Sequence, residues 1–231
     1  MELFNSRFPG KTSGGALFDG KNTTLYTSEL TQKQLPPCST FKLYLSLFGL
    51  ESGVIRSPEE VWHYNGEKTG RPEWRKDMDL TVALRESSEW YFREVARKLG
   101  AERLRAGIQK INYGSGWTGR KPEDAWLNGP MTISAKEQAE LVWKLEQETL
   151  PFPKAHQRAV KDALRVSDAQ KWVLWGKTGS SAKDKNGLSL GWYVGAYREG
   201  GRTHAFAVVE RAPSVIGADV RKKLVRRLKA G

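Results

Sequence analysis

The sequence predicts a single α+β domain over residues 1–231, in which an antiparallel sheet is flanked by helices. Strand-like segments lie near both ends of the chain, helix-like segments fill its middle, and no Pro- or Ser-rich linker divides it. A hydrophobic fraction of 39% and nine Trp supply enough apolar surface for one substantial core. Such a composition excludes a disordered chain.

The N-terminal part predicts two short strands followed by an apolar helix. Ala16-Leu17-Phe18 and Thr24-Leu25-Tyr26 have strand character, and the turn residues 19–22 separate them. Pro36-Pro37 then interrupts the chain. The residues from Phe41 to Leu50 form the expected helix, which Gly53 ends.

The middle of the chain predicts helices over about 89–99, closed by Gly100, and over 156–165. Between them Ser134 is followed by Glu137 three residues later, which is a capping box ahead of a third helix. Strands in hairpin order are expected over 172–175, 188–197 and 203–210, before a terminal helix. This order predicts a sheet built from both chain ends.

Charge and composition exclude several classes of function. The formal charge is +12, but much of it lies in 220–229, where cations alternate with apolar residues as in a solvated amphipathic helix. We therefore expect no nucleic-acid partner. Single Cys38 excludes an internal disulfide, and three scattered His predict no metal site. No apolar run is long enough to span a membrane.

The segment Ser39-Thr40-Phe41-Lys42 is the first candidate for chemistry. The serine is expected in the first turn of a helix, and Lys42 three residues later lies on the same helical face. A serine needs a base to become a nucleophile, and a buried amine with a lowered pKa can be that base. Lys42 lies among apolar residues, which is unusual for a solvated lysine.

Two further segments complete a possible site. Lys177-Thr178-Gly179 follows an expected strand, and such a strand edge can bind an amide and attract a carboxylate. The same tripeptide at Lys68-Thr69-Gly70 lies in a polar stretch and predicts an ordinary turn. Ser87 is an isolated serine between helical segments, for which a helix N-cap is the alternative interpretation.

The order Ser-x-x-Lys, isolated serine and Lys-Thr-Gly resembles that of β-lactamases and penicillin-binding proteins. With further segments, the chain resembles class D (oxacillinase-type) serine β-lactamases from about residue 18 to 228. The segments that carry this resemblance are Pro37-Cys38-Ser39-Thr40-Phe41-Lys42, 47–53, Tyr113-Gly114-Ser115, 125–130, 133–138 and Gly191-Trp192-Tyr193-Val194-Gly195.

The resemblance implies a role for each catalytic residue. Ser39 is the acylated nucleophile, Lys42 is the base, and Ser87 relays a proton toward the leaving nitrogen. In the family, carbon dioxide converts this lysine to a carbamate that a tryptophan matching Trp126 holds. No other cofactor is expected.

The resemblance also implies how a small-molecule β-lactam is bound. Backbone N–H groups of Ser39 and Ser180 form an oxyanion hole, and Arg221 matches the arginine that binds the substrate carboxylate. The residues assigned to the substrate are Lys177, Thr178, Gly179, Ser180 and Arg221.

One position departs from the family in a way that affects the carbamate. The family has an aliphatic residue two positions after the middle serine, whereas this chain has Glu89. A nearby carboxylate favours the lysine ammonium and repels a carbamate, so carboxylation of Lys42 is in doubt. Shifts of one to three pKa units lower carbamate occupancy by ~10–1000-fold. The changes at Ser115 and Ser180 are milder.

Three interpretations of function stay open. The first is an ordinary or weak class D β-lactamase, in which Glu89 points away or positions water. The second is a penicillin-binding or sensing domain that is acylated and hardly deacylated. The third is a non-catalytic basic binding module, which leaves the ordered motifs unexplained.

The resemblance further implies a two-lobed fold with the site at the junction of the lobes. One α/β lobe comes from both termini, and a mostly helical lobe spans about 57–165. The family is exported, so we expect a periplasmic or secreted protein whose signal is absent from this sequence. The start Met1-Glu2-Leu3-Phe4 lacks a signal pattern, and by itself it fits a cytoplasmic protein equally well. Oligomeric state and β-lactam spectrum stay open.

Overall fold

The structure is a computed structural model that describes residues 12–26, 29–127, 130–166, 174–199 and 201–228. It confirms the predicted α+β class, an antiparallel sheet with helices packed against it. In chain order the elements are β1 (Ser13–Phe18), β2 (Thr23–Tyr26), α1 (Glu29–Gln32), α2 (Lys42–Glu51), α3 (Leu80–Glu86), α4 (Glu89–Lys110), α5 (Ala135–Glu146), α6 (Lys154–Ala163), β3 (Arg165–Val166), β4 (Leu174–Ser180), β5 (Leu188–Glu199), β6 (Arg202–Pro213) and α7 (Gly217–Leu228).

Both ends of the chain enter the same six-stranded sheet, whose strand order is β2-β1-β6-β5-β4-β3. The N-terminal strand β1 pairs antiparallel with β6 from Ser13 opposite Glu210 to Phe18 opposite Ala205. The predicted hairpin order of β4, β5 and β6 is present, with each pair antiparallel. The sheet therefore joins the first and last described strands across nearly the whole chain length.

The sheet is buried on both faces. Alternate residues of a strand point to opposite faces, so Trp192 and Val194 enter the large core that α2, α4 and α5 share, whereas Tyr193 enters a smaller cluster under α7. Helix α7 is amphipathic as predicted, with Val220, Leu224 and Leu228 buried. Its cations at 221, 222 and 226 are exposed.

Two helices, α4 and α6, differ from their predicted bounds. The chain leaves helical geometry at Gly100, which has φ 73°, but α4 resumes and continues to Lys110. Glycine adopts this left-handed φ at low cost, so it interrupts the helix without ending it. The capping box of Ser134 and Glu137 is confirmed at the start of α5. Helix α6 begins two residues earlier than predicted.

The sequence predicts that Ser39 lies in the first turn of an α-helix. The serine lies instead in a 3-10 turn over Cys38–Phe41 that runs directly into α2. Tighter turns of this kind are common at helix N-termini. Within the interval 57–165, α5 lies against β1, β5 and β6 rather than against the other helices alone. The boundary of a helical lobe at about 57–165 stays a prediction.

The Lys-Thr-Gly tripeptide lies inside a strand rather than after one. Residues 172 and 173 of the predicted strand lie outside the described residues, and β4 continues from Leu174 through Lys177-Thr178-Gly179 to Ser180. Pairing of this run with Val194, Tyr193 and Trp192 of β5 extends the strand past its polar residues. Strand β3 pairs only with Leu174 and Trp175, so the other edge of β4 has no described strand partner at Lys177.

Two close approaches hold β4 between its neighbours. A Cβ on Gly179 would lie 3.1 Å from Thr40 Cγ2 and 3.2 Å from the Pro37 carbonyl oxygen, so the strand contacts the 3-10 turn. A Cβ on Gly217 would lie 2.6 Å from the carbonyl oxygens of Gly179 and Trp192. Because Gly217 has no side chain, the start of α7 packs directly against β4 and β5. Because Gly179 has none, β4 packs directly against the 3-10 turn.

We expect Gly217→Ala to lower the free energy of unfolding by about 1–3 kcal/mol, since its methyl group would meet backbone that cannot move aside. Gly70→Ala is the matched control, because no atom lies within 4 Å of a Cβ there, and it should change stability by less than about 0.5 kcal/mol. Chemical denaturation measures both. Equal stability of the two variants would show that α7 is not tightly packed on β4.

Candidate active site

Buried hydrogen bonds hold the turn that carries Ser39 in place. The Pro37 carbonyl accepts bonds from the backbone N–H of Thr40 at 3.3 Å and from its hydroxyl at 2.7 Å. The Gln138 amide, on α5, donates to the Thr40 hydroxyl at 2.9 Å, and both side chains are fully buried. Ser39 itself is half-buried, so it stands on a rigid turn with access to the cleft.

The neighbouring thiol is not a competing nucleophile. Cys38 is buried, and burial raises its pKa to about 12 against the opposing charge of Lys42. A thiolate is the reactive form of cysteine, and at this pKa almost none exists near neutral pH. The hydroxyl of Ser39 is therefore the group in this turn that can attack an acyl substrate.

Lys42 is completely buried and has few hydrogen-bond acceptors around its amine. Its Nζ donates to the Ser87 carbonyl oxygen at 2.7 Å and lies 3.4 Å from the Ser87 hydroxyl. The rings of Phe92 and Trp74 lie beside it, with centroids 5.5 and 6.0 Å from Nζ. Burial lowers the pKa of Lys42 to about 7, although the carboxylate of Glu89 opposes this shift. Much of the amine is therefore neutral, and able to accept a proton, near pH 7.

Ser87 bridges the two site lysines. It lies between α3 and α4 in the left-handed region, with φ 57°, as the residue that ends α3. The N-cap position of α4 belongs to Ser88, so the N-cap interpretation of Ser87 is wrong. Its hydroxyl accepts a bond from Lys177 Nζ at 2.8 Å while Lys42 holds its carbonyl. A non-glycine residue in this region stores strain, which is common at functional sites.

Lys177 is a buried cation with polar contacts but no carboxylate beside it. Its Nζ donates to the Ser87 hydroxyl and, at 3.1 Å, to the Thr178 carbonyl oxygen. Burial holds the pKa of Lys177 well below its usual value, and the positive charges of Lys42, Arg71 and Arg221 lower it further. An anionic ligand would relieve this concentration of positive charge.

A cavity of about 450 Å³ lies along the free edge of β4. Four of the residues that line it are cations, and none is a carboxylate. The lining residues are Leu84, Arg85, Ala163, Leu164, Arg165, Val166, Gly176, Lys177, Thr178 and Arg221. The structure thus brings Arg221 of α7 to the same cavity as Lys177 and Thr178, where a carboxylate would meet several positive charges.

The remaining predicted residues lie around this centre. Trp126 is fully buried and stacks on Phe41, the residue before Lys42, with ring centroids 6.3 Å apart. The Ser180 hydroxyl accepts a bond from the Gly217 N–H at 2.9 Å, so it is tied to α7. Glu89 is the first residue of α4, half-buried, and its charge acts on Lys42 as the sequence predicts.

Two observations bear on whether a carbamate on Lys42 fits this site. The indole Nε1 of Trp126 is buried and has no hydrogen-bond acceptor among the described residues, so it is a free donor for a carbamate oxygen. The carboxylate of Glu89 opposes the same group, because two negative charges would share a buried site. The donor fits, and the local charge does not.

Several residues that shape the site were not found by sequence reasoning. Trp74 and Phe92 enclose Lys42, Gln138 supports the Ser39 turn, and Arg71 adds its charge to both lysines. The dismissed Lys68-Thr69-Gly70 immediately precedes Arg71, and no local motif distinguishes that arginine from a surface cation. A buried glutamine in the face of a capped amphipathic helix was the one available signal for Gln138.

The described residues contain no group of three or more His, Cys, Asp or Glu placed to hold a metal ion. None of the described helices combines the length and apolar character needed to cross a bilayer.

Comparison with known proteins places the chain among penicillin-interacting proteins. Residues 10–229 match the family model described as penicillin binding protein transpeptidase domain. A curated relative, the β-lactamase OXA-20 of Pseudomonas aeruginosa, is 34% identical over 77% of this chain and 64% of its own length. The regulatory protein BlaR1 of Bacillus licheniformis is 33% identical over 85% of this chain but 33% of its own length. The chain thus spans less than two thirds of these relatives.

Solved structures agree with the sequence matches. The class D β-lactamase FUS-1 (OXA-85) of Fusobacterium nucleatum is 31% identical, with a TM-score of 0.86 over 95% of this chain and 91% of that chain. The C-terminal domain of the Bacillus licheniformis BlaR penicillin receptor is 29% identical, with a TM-score of 0.88 over 95% and 90%. The fold is therefore similar to a β-lactamase and to a penicillin receptor alike.

Ser87→Gly should separate stability from reactivity. Glycine relieves the left-handed backbone, so we expect the free energy of unfolding to stay within about 1 kcal/mol of the parent or to exceed it. The acceptor for Lys177 is lost, and reaction with a β-lactam should slow by ~10²-fold or more. Chemical denaturation and acylation rates measure the two effects. A variant that reacts as fast as the parent would remove Ser87 from the chemistry.

Proposed function

The chain belongs to the penicillin binding protein transpeptidase domain family and is class D β-lactamase-like, and from this premise we propose that it is a hydrolase that opens β-lactam rings through acylation of Ser39. The observation that carries the proposal is the hydrogen-bonded group of Lys42, Ser87 and Lys177 beside the Ser39 turn. A basic binding module needs no such buried group, so the third interpretation is set aside.

Acylation begins with the Lys42 amine. In its neutral form the amine takes the proton of the Ser39 hydroxyl, and the serine oxygen attacks the β-lactam carbonyl carbon. Backbone N–H groups of Ser39 and Ser180 are proposed to stabilise the resulting oxyanion, and such donors are worth ~3–4 kcal/mol each. The contact of Gly179 with the 3-10 turn supports this, because it brings the end of β4 against the turn that carries Ser39.

Ser87 then delivers a proton to the ring nitrogen as the carbon–nitrogen bond breaks. Its hydroxyl already accepts from Lys177, so a proton lost to the nitrogen can be replaced from a lysine. The product is an ester between Ser39 and the opened substrate. Lys177, Thr178 and Arg221 are proposed to bind the carboxylate of the substrate, since they line one cavity at the free edge of β4.

Glu89 is proposed to limit the second half of the reaction. Hydrolysis of the ester requires a base that activates water, in addition to the single activation of Ser39. A carbamate on Lys42 supplies such a base when it is present, and the charge of Glu89 disfavours it. The lysine is therefore proposed to act as a free amine, with slow deacylation as the consequence.

A penicillin-sensing domain is the second candidate, and two observations favour it. The match to BlaR1 extends over 85% of this chain, and the fold is similar to that of a penicillin receptor. A long-lived acyl-enzyme, as Glu89 predicts, suits a sensor. Both candidates share the proposed partner, a small-molecule β-lactam, and the proposed location outside the cytoplasm.

Intact mass after mixing with benzylpenicillin tests the proposal. We expect one covalent adduct with the mass of the whole penicillin, which Ser39→Ala abolishes, whereas Cys38→Ala retains it. Adduct loss within seconds to minutes supports a hydrolase, and an adduct that persists for hours supports a sensor. An adduct that survives Ser39→Ala would contradict the assigned nucleophile.

Glu89→Val should speed deacylation and make it depend on bicarbonate. Removal of the carboxylate lowers the pKa of Lys42 from about 7 and leaves an apolar wall that tolerates a carbamate. The acylation rate of the parent should rise with pH through about 7, where the amine loses its proton, and the midpoint should move to lower pH in the variant. Stopped-flow acylation and adduct decay, with and without bicarbonate, measure these changes.

Glu94→Val is the matched control, because Glu94 lies on the same helix but pairs with Arg97 and Lys98. It should leave both the midpoint and adduct decay as in the parent. Fast, bicarbonate-stimulated turnover by the natural protein would show that Glu89 does not suppress the carbamate.

A further inference from the structure

Arg71 is held on a rigid aromatic platform next to the catalytic base. Its guanidinium carbon lies 5.2 Å from the centroid of the Trp74 ring, and Lys42 Nζ lies 6.0 Å from the same ring. Trp74 is buried, its indole donates to the Glu86 carbonyl oxygen at 3.0 Å, and its backbone carbonyl oxygen accepts from the Trp90 indole at 2.7 Å. The indole is therefore fixed, and Arg71 lies at the exposed rim of the pocket around Lys42.

The guanidinium of Arg71 has no ion-pair partner among the described residues, although carboxylates are close in sequence. Glu67, from the same loop, pairs with Arg97 at 3.0 Å, and Glu86 pairs with Lys76 at 2.5 Å. A guanidinium over an indole keeps its N–H groups available at its edge, where they can bind a carboxylate in bidentate fashion. Arg71 is thus an exposed donor that none of the carboxylates among the described residues pairs with.

The positive charge of Arg71 reaches both site lysines. It contributes to the lowered pKa of Lys42 and of Lys177, after the larger effect of burial on each. The site contains the basic side chains of Lys42, Lys177, Arg71 and Arg221. The carboxylate whose charge acts on Lys42 is that of Glu89. The positive charges of Arg71 and Arg221 destabilise the protonated form of the buried Lys177. The arrangement is therefore suited to bind more than one negative charge.

Arg71 comes from a different segment of the chain than the cations assigned to the ring carboxylate. Lys177 and Arg221 reach their cavity from β4 and α7, and Arg71 does not line that cavity. It comes instead from the segment before α3 and shares its platform with Lys42. With the ring carboxylate assigned to Lys177 and Arg221, Arg71 is left available for an anion on another part of the substrate.

We propose that Arg71 forms a second anion-binding position, which selects β-lactams whose acyl side chain carries its own carboxylate. The inference rests on the proposed acylation of Ser39 and names the substrate class that this site favours. The guanidinium binds the side-chain carboxylate while the ring carboxylate lies at Lys177 and Arg221. Recognition acts on binding and orientation, and the bonds that form and break are unchanged.

Two penicillins that differ by one carboxylate test this assignment. Benzylpenicillin and its α-carboxy derivative, carbenicillin, share the reacting ring, so any effect of Arg71 on Lys42 alters both rates equally. The measured quantity is the ratio of their second-order acylation rate constants, carbenicillin over benzylpenicillin, from intact mass at low and at 0.5 M salt. We expect Arg71→Gln to lower this ratio about tenfold, the size of one charge-assisted bond.

The matched variants separate recognition from structure. Arg71→Lys should recover part of the ratio, because lysine keeps the positive charge but lacks the two parallel N–H donors of the guanidinium. Arg75→Gln should leave the ratio as in the parent, since Arg75 is an exposed cation four residues away. Salt should lower the ratio in the parent and hardly alter it in Arg71→Gln. An equal loss on both penicillins, or an unchanged ratio, overturns the inference while leaving acylation of Ser39 intact. No adduct with either penicillin overturns the proposed function and this inference with it.

Discussion

The bond network that joins Lys42 and Lys177 through Ser87 is the interaction on which the candidate site depends. Both lysines are buried, and each finds its closest acceptor at the same serine, one at its carbonyl and one at its hydroxyl. Burial of an ammonium is costly, which lowers the pKa of both lysines and brings that of Lys42 to about 7, where its amine can exchange protons near neutral pH. The left-handed backbone of Ser87 is tolerated because it orients both groups at once.

The fold holds this network by pressing three separate parts of the chain together. Absence of a side chain at Gly179 lets β4 touch the 3-10 turn, and its absence at Gly217 lets α7 touch β4. Gln138 of α5 supports the same turn from the sheet side. Interiors are close-packed and relax little, so small shifts at these contacts would displace Ser39 relative to the lysines.

Charged residues of opposite sign act on Lys42 in opposite directions. Glu89 raises the pKa of the amine, and Arg71 lowers it, on a background that burial dominates. Membership of the family does not set this balance, because Glu89 is a departure from the family's middle motif and Arg71 lies outside the motifs that carry the resemblance. The chain is similar both to the β-lactamase OXA-20 and to the regulatory protein BlaR1, so the shared scaffold by itself does not decide between the two proposed functions.

Local signals in the sequence determined the α+β class, the capping box at Ser134, the hairpin order of the last three strands and the amphipathic α7. They also identified Ser39, Lys42, Ser87 and Lys177 as candidates, because the order of the motifs is readable along the chain. Each of these features depends on residues a few positions apart, or on a pattern that repeats within one element.

Only the tertiary structure decided what surrounds those residues. Strand β4 extends through Lys177 because β5 pairs with it, Gly100 interrupts α4 without ending it, and Ser87 ends a helix rather than beginning one. The pKa of Lys42 follows from burial against Trp74 and Phe92 and from the charges of distant residues. Contacts between residues far apart in sequence set burial and local charge, and no motif records them.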